Sequence, residues 1–109
     1  MIERDRLREE WRLSALEYVR LEDVASRLEE GRSTLLARLT MRYVEAGYPV
    51  TKAKDMARID GEYEEYVVAM HDARKAANEA RIERDNRDRV YWTHATAEAN
   101  QRAEMRLSR

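Results

Sequence analysis

The sequence has no cysteine, no phenylalanine, a single proline and three glycines in 109 residues. Without cysteine there is no disulfide framework. With so few chain-breaking residues a sheet-rich fold lacks its turns, and long helices are the natural alternative. Charge of one sign is missing too. Twenty-one basic residues against twenty-two acidic ones leave a net charge of −1, which removes the broad positive field that non-specific nucleic-acid binders and membrane-surface proteins use. No apolar run approaches the roughly 20 residues of a membrane span. The opening Met1-Ile2-Glu3-Arg4-Asp5 has no apolar signal-peptide core, so an intracellular, cytoplasmic protein is expected. The length fits one small domain and excludes a multidomain enzyme.

What is present is alanine, leucine and arginine, fifteen, nine and eighteen of each, all strong helix formers. The one concentrated turn signal is Gly47-Tyr48-Pro49-Val50-Thr51. Gly47 can close a helix, Pro49 cannot continue one, and Thr51 can cap the next. Before this turn, Leu7, Trp11, Ser14, Tyr18, Leu21, Ala25 and Leu28 recur in alternating steps of four and three, and the same steps reach Leu35 and Leu39. That is the seam of a coiled-coil-like helix. The register survives Gly31, which reads as a kink within one helix or as the joint between two. After the turn, Met56, Ile59, Tyr63, Tyr66, Met70, Ala73, Ala77, Ala80, Arg84, Arg87 and Tyr91 repeat the pattern.

Folding the chain back at Pro49 pairs Leu7 with Tyr91, Leu21 with Ala77, Leu28 with Met70, Leu35 with Tyr63 and Leu39 with Ile59, each pair of numbers adding to 98. Large residues of the first helix then face alanines of the second. The expected fold is therefore all-α: a long antiparallel helical hairpin, coiled-coil-like, with helices over about 3–46 and 52–107 and the turn at 47–51. Leu13, Leu16, Val24, Leu36, Val67, Val68, Val90 and Trp92 fall off the seam. Apolar stripes of that extent usually find partners, and a homodimer with a four-helix arrangement is expected.

Sites for chemistry are few. The run Arg81-Ile82-Glu83-Arg84-Asp85-Asn86-Arg87-Asp88-Arg89 could grip phosphates, but its acids sit four residues from its bases (Arg81 and Asp85, Glu83 and Arg87, Arg84 and Asp88, Asp85 and Arg89), so a self-paired helical face is favoured. In the expected register Arg87 rests on Trp11. His94 has Glu98 four residues on, yet no further ligand pattern accompanies it, and no metal or other cofactor is expected. Asp60, Glu62, Glu64 and Glu65 lack a nucleophile or oxyanion donor nearby, so the chain does not read as an enzyme. The candidate partner-binding residues are Tyr48, Lys52, Lys54 and Arg58, a small basic and aromatic tip at the turn, and Arg102, Met105, Arg106 and Leu107, an overhanging final stretch with no counterpart in the first helix.

That final stretch, Asn100-Gln101-Arg102-Ala103-Glu104-Met105-Arg106-Leu107, follows an alanine- and arginine-rich helix and a central Gly-x-Pro turn. The combination resembles small all-helical proteins of tailed bacteriophages, whose genes often lie among early or recombination genes. The resemblance implies a phage protein acting in bacterial cytoplasm and offers no catalytic residues to carry over. The expected function is binding of a protein partner, such as a host factor. The alternative is an accessory role in phage DNA recombination or replication, binding single-stranded DNA or a recombinase.

Overall fold

The computed structural model describes residues 2–108, all of them in helices or short connections. The elements are α1 (Glu3–Glu45), α2 (Val50–Arg58) and α3 (Gly61–Leu107). No strand occurs among the described residues.

Helix α1 carries Glu3 and Asp5 in its first turn and Arg42 in its last, the signs that suit the helix dipole. It ends where glycine permits. Gly47 adopts φ 103°, its N–H donates to the Val44 carbonyl at 3.0 Å, and the Tyr48 N–H reaches back to the Tyr43 carbonyl at 3.1 Å. This pair of bonds is a Schellman motif. The side-chain contact that accompanies such motifs is present as well, with the Tyr43 and Tyr48 rings edge to face at 5.9 Å. Gly31 does not divide α1, which runs through it unbroken.

The second helix departs from expectation in two ways. It starts at Val50 with Pro49 in the cap position, whose carbonyl accepts the Ala53 N–H at 2.8 Å, so Thr51 lies inside the helix rather than capping it. It also stops at Arg58, and a new helix begins at Gly61. Asp60 makes this break. Its Oδ1 accepts the Glu62 N–H at 2.8 Å, and its Oδ2 accepts the Tyr43 hydroxyl at 2.6 Å, so the carboxylate caps the first turn of α3 while a tyrosine from α1 orients it. The interruption resets the helical phase, and Ile59, expected opposite Leu39, is instead 69% exposed.

The chain forms two compact units. One is Leu21–Ala77, and the other takes in both ends of the chain, up to Arg20 and from Asn78 onward. In Leu21–Ala77 the later part of α1 packs antiparallel against α2 and the first third of α3. Leu35, Leu39, Ala57 and Tyr63 form the core cluster, with Leu36, Tyr43, Tyr66 and Val67 packed on it. Leu36 and Val67 therefore belong to the core and not to a free stripe. Ala25, Ala53, Met70 and Ala77 are also buried here.

The end unit is antiparallel as well, since Arg8 bonds Tyr91, Glu10 bonds Arg87 and Arg84 lies over Tyr18. Its buried hydrophobic residues are Leu7 and Tyr91. In both units the contacting pairs scatter by only a few residues about the expected 98 register, as in Tyr66 on Gly31 and Arg87 on Glu10. The long helices thus fit the hairpin.

Candidate interaction surface

At the turn, the Schellman geometry leaves Tyr48 on the outside, with the Lys52 ammonium 6.0 Å from its ring centroid. Lys52 and Lys54 are exposed and make no ion pair among the described residues, whereas Arg58 pairs with Asp55 at 3.6 Å. Of the turn residues named from sequence, Lys52 and Tyr48 are in contact, and no contact joins Lys54 or Arg58 to that ring among the described residues. Glu62, also nearby, is taken up by Arg42 at 3.1 Å.

The overhang continues α3 as helix to Leu107, and Arg102, Met105, Arg106 and Leu107 are all exposed.

In Leu21–Ala77 the polar contacts are structural. Arg74 bridges Glu22 at 2.6 Å and Glu29 at 2.6 and 2.9 Å. These bonds hold both carboxyls below their ordinary pKa and raise that of the guanidinium. Tyr63 Oη accepts from Arg32 Nε at 3.0 Å, and the Tyr66 hydroxyl donates to the Leu28 carbonyl at 2.5 Å.

The most concentrated chemistry lies in the end unit. Trp11 stacks on Tyr91 with ring centroids 5.6 Å apart, and Trp92 meets Tyr91 edge-on at 5.2 Å. Arg8 lies over the Tyr91 ring at 5.7 Å and donates to its hydroxyl at 3.0 Å. Arg84 lies 4.5 Å above Tyr18 and pairs with Asp85 at 2.9 Å. A groove between α1 and α3 is lined by Arg8, Trp11, Arg12, Ala15, Arg84, Asp85 and Asp88, and Asp85 and Asp88 are shared with an adjoining groove bordered by Arg89 and Trp92.

Several sequence expectations change here. Arg87 does not rest on Trp11. It pairs with Glu83 at 2.7 Å and Glu10 at 3.1 Å, because two carboxylates within reach outcompete an indole. Of the four pairs expected in 81–89 only Glu83 with Arg87 forms; Arg84 turns instead to Asp85, drawn by the Tyr18 face. Trp92, read from sequence only as one of several off-seam residues, is the most conspicuous apolar side chain of this face.

His94 Nε2 lies 2.6 Å from Glu98 Oε1, as the spacing predicts, and no group of three metal-ligating side chains occurs among the described residues. No helix among the described residues is long and apolar enough to cross a membrane. No family model, curated protein or solved structure matches the chain.

Proposed function

We propose that this chain is a non-enzymatic binding protein: a helical hairpin that pairs with a second copy in a four-helix arrangement and acts by holding another protein. One observation carries the reading. The end unit leaves Leu13, Leu16, Val19, Ile82 and Trp92 more than half exposed, and large apolar side chains left in water on a highly charged surface mark protein contacts. Trp and Arg, residue types that dominate binding energy at interfaces, gather around Tyr91 in the end unit as Trp11, Trp92 and Arg8. Under the resemblance to phage proteins, the protein held is a bacterial host factor.

Affinity capture from a bacterial lysate tests this. Wild type is expected to retain a specific protein, and a Leu13→Glu, Leu16→Glu variant of unchanged helicity is expected to lose it. Equal capture by both chains overturns the reading.

A second reading, the DNA accessory, is favoured by Lys52 and Lys54, which make no ion pair among the described residues, the first of them over the ring of an exposed Tyr48. Its mark is a low-salt mobility shift that weakens steeply with added salt. No shift is expected.

A further inference from the structure

We propose that the second copy docks on the face of the end unit carrying Asp88, Arg89 and Trp92, in a two-fold pairing that sets Asp88 of each chain against Arg89 of the other. The inference rests on the dimer reading above and adds where the contact lies. Two independent observations lead to it.

The first is the poverty of the local core. The end unit spans the first turns of α1 and nearly two thirds of α3, yet its buried hydrophobic residues are Leu7 and Tyr91, against eight in Leu21–Ala77. Helix formation alone stabilises such segments only marginally, and tertiary burial supplies the remainder. Trp92 stands 56% exposed on this unit, braced by Tyr91 so that its outer face is offered in a fixed orientation. A rigid aromatic anchor loses little entropy on binding.

The second is charge. In 81–89 Arg84 is taken up by Asp85 and Arg87 by Glu83 and Glu10, while Arg81, which makes no ion pair among the described residues, does not line this groove. Asp88 and Arg89 make no ion pair among the described residues. They border the same groove as Trp92 and are of opposite sign. A face holding one free charge of each sign is complementary to itself, which is what a two-fold contact requires, since each residue then meets its counterpart reciprocally. A nucleic acid would meet Asp85 and Asp88 as repulsion, and an acidic or basic peptide would satisfy only one of the two free charges.

The test is sedimentation equilibrium of the full chain with charge variants, helicity being checked by circular dichroism. Wild type is expected to be dimeric. Asp88→Arg alone and Arg89→Asp alone each place like charges across the two-fold axis and are expected to weaken dimerisation by ~10-fold or more. An equimolar mixture of these two variants restores both contacts with opposite charges and is expected to recover a dimer. Trp92→Ala, which removes no charge, is expected to weaken the dimer as well and serves where a charge variant loses helicity. A wild-type dimer left unchanged by Asp88→Arg and Trp92→Ala overturns the placement while leaving the dimer intact. A mixture that stays as dissociated as its components overturns the Asp88–Arg89 contact. A wild type monomeric at micromolar concentration overturns placement and dimer together.

Discussion

Gly31 sits mid-helix, where glycine costs about 0.5–1 kcal/mol relative to alanine, and the reason for it lies on the opposite helix. A Cβ at this position would stand 2.5 Å from the Tyr66 hydroxyl oxygen but 3.7 Å from the ring carbon that bears it. The missing methyl is the space through which the hydroxyl reaches the Leu28 carbonyl. Gly31→Ala in wild type therefore sets a gain in helix propensity against loss of a hydrogen bond that contributes about 0.5–1.5 kcal/mol, and the net change should be near zero or destabilising. In a Tyr66→Phe background only the propensity gain remains, and the same substitution should stabilise by about 1 kcal/mol. Urea unfolding of the four chains measures the difference. Identical effects of Gly31→Ala in both backgrounds would refute the contact. Sequence marks Gly31 as an oddity inside a continuing seam, but the side chain that needs it is 35 residues away and carries no local signal.

Among the elements, the helical seams were legible because apolar spacing reports burial directly. Leu7, Ala25, Leu35, Leu39, Tyr63, Met70, Ala77 and Tyr91 are all buried as the period requires. The break between α2 and α3 was not legible. Asp60-Gly61 carries the chemistry of a helix start, yet the apolar period on either side of it looks continuous, and only the Tyr43 hydroxyl from α1 makes Asp60 a cap. The same limit hid the fan of charges around Arg74, which joins two glutamates of α1 to α3. The Arg74 hydrogen bonds depress the pKa of Glu22 and Glu29 in the folded chain. Their stabilisation is therefore fully present above the ordinary glutamate pKa of about 4.3 and is lost as pH falls through the depressed values. Melting temperature should drop between about pH 5 and pH 3, and Arg74→Met should flatten part of that drop. Because these side chains are partly exposed, added salt should flatten it too. An acid limb of the same slope in the variant would show that other carboxylates dominate.

For the whole molecule, what sequence conveys is a hairpin of even quality along its length, because a heptad count weighs every apolar position alike. Burial does not. Leu39, Ala25, Ala53, Ala57 and Ala77 are fully inaccessible, all within Leu21–Ala77, while the end unit relies on Leu7, Tyr91 and a stack of rings. Opening free energies follow buried contacts. Amides of α1 before Arg20 and of α3 after Asn78 should accordingly exchange with solvent faster than those flanking Leu35 and Leu39. In Asp88→Arg the first group should lose further protection while the second is unchanged. Uniform exchange along both helices would contradict the division. The exposure of the candidate residues at the turn and in the overhang was legible, whereas the ring cluster around Trp92 was not, because a tryptophan off one helix's seam gives no sign of the rings it meets.

That the end unit is assembled from both ends of the chain also orders events in time. Leu21–Ala77 is contiguous and can close into its hairpin while later residues are still being synthesised, since its contacts span short separations. Leu7 and Trp11 must wait for Tyr91, some eighty residues downstream. The emerging chain thus carries an unpaired, partly apolar helical arm until Tyr91 has been made, the state in which chaperones and premature association between neighbouring nascent chains act.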